Sequence, residues 1–221
     1  MSNKKFVTIK QMMDTGHTSP DRSKHRLGEN YSWYLYSQNH LGVFILLSKF
    51  IMKGCNKMKK DIQNNVEPDK INFNHGKLFL SATYEGSMAI ELLLKFGLMD
   101  ASTQKDKSTY LYGHNLPEIA SNLEKEWGIF LNKEDRTLLE KLKDIIEFKG
   151  RYPERRKVSN SQKDDLTTRI SPELLLQIKN LWIKIHTYIS AQDEVFNFFA
   201  KNKSAEEEYK RNEDEINQLS Y

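Results

Sequence analysis

Three side chains in this sequence are the candidates for moving a proton or holding negative charge: His114, Arg151 and His186. Histidine exchanges a proton near neutral pH, and arginine binds carboxylates and phosphates through a planar fork. Each residue also has a structural interpretation. His114 can hydrogen-bond its own turn, and Arg151 can reach back to a carboxylate such as Glu85 as an internal brace. His186 stands among apolar residues, where a core or interface histidine is expected.

Other kinds of chemistry have little support in the sequence. The six histidines are scattered, none four residues from another, and the single cysteine, Cys55, allows neither a cysteine-based zinc site nor an internal disulfide. Glycine-rich phosphate loops, a GxSxG elbow and an HExxH pair are all missing. We therefore expect no metal and no cofactor. The reduced cysteine, the N-terminus without a signal peptide and the short apolar runs predict a cytoplasmic protein outside the membrane.

A basic segment follows the turn at Gly150. It is the most basic local stretch of a chain whose net charge is only +4, with 34 basic residues against 30 acidic ones. A solvated loop is one interpretation, and contact with the phosphates of RNA, DNA or a nucleotide is the other. The candidate nucleic-acid-binding residues are Lys149, Arg151, Arg155, Arg156 and Lys157.

The element that must position these residues is a central helix predicted over Leu78–Leu98. Its apolar side chains cover most of its circumference, which is typical of a helix packed on several sides. It carries two acids, and a buried carboxylate requires a cationic or hydrogen-bonding partner. Glu85 and Glu91 are both candidates for such a partnership. For Glu91 the other interpretation is an ordinary surface ion pair with Lys95, four residues further along the helix. Gly97 is expected to mark the end of the helix.

Helical periodicity elsewhere predicts an all-α fold, an antiparallel helical bundle with an N-terminal helical extension. We expect Asn115 to begin one helix as an N-cap, with Glu118 completing a capping box, and Asn132 to begin the next. The remaining helices are predicted over Asn30–Gln63 and from Pro172 to about Phe199.

The predicted organisation has three parts. Residues 1–29 form a polar arm without a sustained period, residues 30–200 form one helical-bundle domain, and residues 201–221 form a charged tail. The tail is either a solvated helix or disordered, because it carries many charges and few apolar residues.

Three short motifs in this order resemble the HEPN superfamily of small helical domains. The first is Ser81-Ala82-x-x-Glu85-x-x-x-Ala89-x-Glu91-x-x-x-Lys95, the second is Tyr112-Gly113-His114-Asn115-Leu116, and the third is Gly150-Arg151-Tyr152-Pro153. The resemblance covers about residues 78–153. It implies a helical bundle, commonly a homodimer, in which Glu85, Glu91 and Asn115 have structural roles.

The resemblance also implies two possible functions. Many HEPN members are metal-independent endoribonucleases of toxin or defence systems, in which four to six residues separate an arginine from the histidine that follows it. The histidine moves a proton from the ribose 2′-OH, and the arginine neutralises charge on the phosphate. In this chain the position of that arginine is occupied by lysine: Lys107 before His114 and Lys179 before His186. Other members lack the motif and bind nucleotides or partner proteins, often beside a nucleotidyltransferase.

We therefore predict a non-canonical HEPN-like protein that binds RNA, a nucleotide or a partner protein in a prokaryotic defence or toxin–antitoxin setting. One alternative is a metal-independent endoribonuclease toxin with His114, Arg151 and His186 as catalytic residues. A second alternative is a structural module that only contacts other proteins. The expected partners are a second copy of the chain, RNA or a nucleotide, and an antitoxin or nucleotidyltransferase.

Overall fold

A computed structural model of the chain describes residues 22–66, 76–100, 113–147, 171–192 and 203–219. These ranges contain six helices and no strand, which confirms the predicted all-α class. In chain order the helices are α1 (Arg22–Gln63), α2 (Gly76–Asp100), α3 (Leu116–Trp127), α4 (Lys133–Ile145), α5 (Pro172–Ser190) and α6 (Lys203–Asn217).

Helix α1 is longer than its pattern predicted. It begins at Arg22 instead of Asn30, so the last part of the predicted polar arm is helical. Residues 22–29 contain no proline, and a helix anchored by its apolar residues further on extends through such a polar segment. Gly54 does not end it, and the chain leaves the helix in a turn where Asn65 has a φ of 53°.

Helix α2 is the central element, as predicted, and it packs against α1, α3, α4 and α5. Gly97 does not end this helix. A Cβ on Gly97 would lie 3.0 Å from side-chain atoms of Ile189 and Leu123, so the glycine allows α5 and α3 to approach closely. Gly86 acts similarly, because a Cβ there would lie 2.7 Å from Ile178 and 2.8 Å from Phe44.

Helices α3 and α4 contact each other, and both pack against α2. The predicted cap at Asn132 is confirmed as a full capping box: Asn132 accepts from the backbone N–H of Asp135, and Asp135 accepts from that of Asn132. The connection contains Gly128 with a φ of 67°. Phe130 follows Trp127 at a helical spacing, but its side chain is 69% exposed, because the helix has already ended at Trp127.

The C-terminal part differs from the prediction of one long helix. Helix α5 ends at Ser190, and the predicted continuation to Phe199 lies outside the described residues beyond position 192. The charged tail forms α6, which packs on α1. Ile216 on this helix and Leu219, two residues beyond its end, are buried. The side chain of Asn212 donates to Gln38 on α1 at 2.7 Å. The tail is therefore a helix with a packed face and not a fully solvated one.

Candidate functional site

A buried ion pair lies in the C-terminal half of α2. Lys95 Nζ donates to Glu91 Oε1 at 2.6 Å, and the two side chains are only 3% and 1% exposed. The predicted pairing is confirmed, but its predicted place on the surface is wrong. Because neighbouring helices cover α2 on several sides, the ion pair between Glu91 and Lys95 forms in the interior of the protein. The Lys95 ammonium also lies 5.4 Å from the centre of the Trp33 ring on α1.

The same carboxylate holds His114. Its Nδ1 lies 2.9 Å from Glu91 Oε2 and 3.0 Å from Oε1. An ionised carboxylate only accepts hydrogen bonds, so this contact assigns the proton to Nδ1 and leaves Nε2 as the nitrogen that can exchange a proton. The His114 side chain is 17% exposed. The buried Glu91 carboxylate thus orients a partly exposed imidazole. In general acid–base catalysis a carboxylate orients a catalytic histidine in the same way.

The turn that carries His114 is tied to the start of α3. The backbone N–H of Leu116 donates to the His114 carbonyl at 3.0 Å, and that of Ile119 donates to the Asn115 carbonyl at 3.0 Å. Asn115 stands at the predicted N-cap position, but its side chain makes no capping bond. Its amide donates instead to the Glu118 carboxylate at 2.8 Å, so the predicted capping box does not form. The contact between His114 and Glu91 joins this turn to α2.

A second carboxylate–histidine pair lies six residues earlier on α2. His40 Nδ1 on α1 is 2.5 Å from Glu85 Oε2, and the side chains are 31% and 23% exposed. Six residues of helix span about 9 Å along the axis. Glu85 was predicted to need a partner, and Arg151 was the proposed one. The structure gives it His40, and Arg151 lies outside the described residues.

His186 lies in the hydrophobic core. It is 2% exposed, and its ring stacks on Trp182 with centroids 4.7 Å apart and an interplanar angle of 23°. Its Nε2 is 3.3 Å from the Tyr34 hydroxyl, and its Nδ1 is 3.0 Å from Ser190 Oγ. Burial lowers its pKa to about 3. This confirms the interpretation of His186 as a satisfied core histidine, and it leaves His114 as the accessible member of the two.

The basic segment belongs to a different part of the chain from the residues described above. Lys149, Arg151, Arg155, Arg156 and Lys157 all lie outside the described residues, as does the Gly150-Arg151-Tyr152-Pro153 motif. Their proposed contact with phosphates stays a prediction.

Sequence reasoning missed two parts of the site. Lys95 and Trp33 complete the surroundings of Glu91, and His40 supplies the partner of Glu85. The spacing of Glu91 and Lys95 on an almost wholly apolar helix was the available signal that this pair is buried. No local signal joins His40 to Glu85, because they stand on different helices and 45 residues apart.

The described residues hold no group of three or more histidine, cysteine, aspartate or glutamate side chains that could bind a metal ion. None of the helices in these ranges is both long enough and apolar enough to cross a membrane. Comparison of the chain with protein-family models, curated proteins and solved structures finds no match.

Proposed function

We propose that this chain is an HEPN-like helical protein that binds RNA or a nucleotide at the surface that the partly exposed His114 reaches. The observation that carries the proposal is the contact between His114 and the buried Glu91. Burying an ion pair such as Glu91–Lys95 costs desolvation that an apolar pair would avoid. Buried ionisable groups that orient an accessible side chain are frequent at functional sites.

The chemistry of this site suits a phosphate-bearing ligand of the kind the HEPN resemblance implies. The imidazole can donate to a phosphate oxygen or accept from a ribose hydroxyl through Nε2, while Nδ1 stays on Glu91. The basic segment with Lys149, Arg151, Arg155, Arg156 and Lys157 would supply the charge that attracts the phosphates.

Titration of the purified protein with fluorescent single-stranded RNA and with nucleotides, at several salt concentrations, tests the binding. We expect affinity to rise as salt falls and His114→Ala to weaken binding about tenfold, the effect of one lost charged or polar contact. His40→Ala is the matched control, because His40 also contacts a glutamate of α2. Absence of binding at low salt, or equal loss in both variants, would reject the site.

Metal-independent RNA cleavage is the second candidate, favoured by the orientation of His114 on a carboxylate. His114 Nε2 would take the proton of a ribose 2′-OH as that oxygen attacks the adjacent phosphorus. The bond from phosphorus to the 5′-oxygen of the next nucleotide breaks, a 2′,3′-cyclic phosphate forms, and the released 5′-oxygen takes a proton from water. Incubation of long RNA with the protein in a metal chelator should then give cleavage that His114→Ala abolishes and His40→Ala leaves intact. Cleavage that survives His114→Ala would exclude this residue as the base.

The biological setting is also a proposal. The HEPN resemblance supports a cytoplasmic protein of a prokaryotic defence or toxin–antitoxin system, with an antitoxin or a nucleotidyltransferase as partner. Affinity purification from the native host with and without RNase treatment tests it. A stable protein partner that survives RNase, in a preparation that binds no RNA, would favour the purely structural module instead.

A further inference from the structure

Trp33 on α1 is a partly exposed aromatic side chain beside the Glu91–Lys95 pair. The Lys95 ammonium lies over the indole, 5.4 Å from the ring centre, and Lys95 itself is only 3% exposed. One face of the indole therefore covers a buried cation. The solvent-accessible surface of Trp33 is left to the ring edge and to the opposite face, which turn away from Lys95.

The same ion pair connects Trp33 with His114. Glu91 Oε1 lies 2.6 Å from Lys95 Nζ and 3.0 Å from His114 Nδ1. The cation–π contact and these two hydrogen bonds, taken in series, place the indole centre no more than about 11 Å from the imidazole nitrogen. Two partly exposed rings thus adjoin one buried ion pair, at a distance that a short single-stranded segment of nucleic acid spans.

The packing of α1 on α2 holds the indole in this place. Ser37 donates to the Ala89 carbonyl at 2.7 Å, and His40 contacts Glu85. These two residues lie four and seven positions after Trp33, so all three share one face of α1. Their partners follow in reverse order along α2: Lys95, Ala89 and Glu85. The two helices are therefore antiparallel and joined at three successive positions, which orients the ring before a ligand arrives.

We propose that Trp33 is the base-binding residue of the His114 site. A nucleobase stacks on the indole face opposite Lys95, while the neighbouring phosphate or ribose hydroxyl meets His114 Nε2. Aromatic side chains bind unpaired bases in this way, and the contact tolerates any sequence because every base has a π-face. The inference rests on the proposed function and narrows its ligand to one with an accessible base, such as single-stranded RNA or a free nucleotide.

Two substitutions of Trp33 separate stacking from packing. Phenylalanine and leucine both keep an apolar cover over Lys95, but only phenylalanine keeps a ring. We expect Trp33→Leu to weaken binding of a fluorescent single-stranded oligoadenylate about tenfold and Trp33→Phe to retain most of the affinity. Phe50→Leu is the matched control and should bind as the wild type does. Phe50 is an aromatic residue of the same helix, 59% exposed but about 25 Å further along it. Circular dichroism verifies that all three variants keep their helices.

Competition with AMP and with ribose 5-phosphate tests the ligand class, because the two differ only in the base. AMP should displace the oligoadenylate at least about tenfold better than ribose 5-phosphate, and Trp33→Leu should remove that advantage without changing the affinity for ribose 5-phosphate. AMP should also quench the tryptophan emission of the wild type but not that of Trp33→Phe.

The outcomes distinguish this inference from the proposed function. Equal oligoadenylate binding by Trp33→Leu and the wild type, equal competition by the two small molecules, or quenching that persists in Trp33→Phe would each overturn the stacking role. If His114→Ala still weakens binding in that case, the His114 site stands without Trp33. A wild-type protein that binds no oligoadenylate at low salt would overturn both.

Discussion

Two glutamates of α2, six residues apart, each hold a histidine from another element, yet they stand in different surroundings. Glu91 is 1% exposed and binds both Lys95 and His114, while Glu85 is 23% exposed and binds His40. Water can solvate the Glu85 pair but not the Glu91 pair. The Glu85–His40 pair therefore links two helices at a partly solvated position. The Glu91–His114 pair instead orients an imidazole on a carboxylate that is shielded from water.

Replacing each acid by its amide gives the largest expected difference between the two places. Glu91→Gln leaves the Lys95 ammonium buried without its counter-ion, and we expect the free energy of unfolding to fall by about 3–5 kcal/mol. Glu85→Gln breaks a partly solvated pair and should cost about 1 kcal/mol or less. Urea denaturation followed by circular dichroism measures both. Equal losses would show that burial does not separate the two pairs.

A double variant determines whether the unpaired ammonium causes that loss. In Glu91→Gln with Lys95→Met no charge is left buried, so part of the lost stability should return. If the double variant is no more stable than Glu91→Gln alone, the loss has another origin, such as the freed turn at His114.

His186 extends the comparison to a histidine whose ring nitrogens face the hydroxyl groups of Tyr34 and Ser190. Burial lowers its pKa from 6.5 to about 3. Between pH 6.5 and pH 3, His186 is therefore mostly protonated in the unfolded chain and mostly neutral in the folded chain. Stability must therefore fall as the pH falls below 6.5. At about 1.4 kcal/mol per pH unit, the loss between pH 6.5 and pH 5 is about 2 kcal/mol.

His186→Gln is the control for this pH dependence. It removes the titrating ring while His40 and His114 remain in both proteins. The unfolding free energy of the wild type, measured by urea denaturation at several pH values, should fall more steeply between pH 6.5 and pH 5 than that of the variant. Parallel curves would contradict a neutral, buried His186.

Local features of this fold were readable from the sequence, and contacts between helices were not. The apolar circumference of α2 predicted its central place, and the spacing of Glu91 and Lys95 predicted their pairing. Whether the Glu91–Lys95 pair is exposed to solvent depends on how α1 and the turn at His114 cover it. That packing cannot be predicted from the sequence of α2 alone. The join of His114 to Glu91 depends on the path of the chain between residues 91 and 114.

The glycines and one phenylalanine show the same limit. Gly97 was predicted to end α2, yet it lies within this helix. Because glycine has no side chain, α5 and α3 can pack closely against α2 at this position. Phe130 has the spacing of the next apolar residue of α3. The helix ends at Trp127, however, and the Phe130 ring is exposed to solvent. A periodic pattern identifies a face without stating which neighbour covers it or where the helix stops.

The smallest expected effects concern the two asparagines that stand at the starts of α3 and α4. Asn132 accepts a capping hydrogen bond, so Asn132→Ala should lower the free energy of unfolding by about 1 kcal/mol. Asn115 occupies the same position at α3 without a capping bond, and Asn115→Ala should change it by only a few tenths of a kcal/mol. Thermal and urea unfolding of the two variants side by side resolve this difference. If Asn115→Ala proves as costly as Asn132→Ala, the turn depends on its asparagine, and the contact of His114 with Glu91 is not what fixes it.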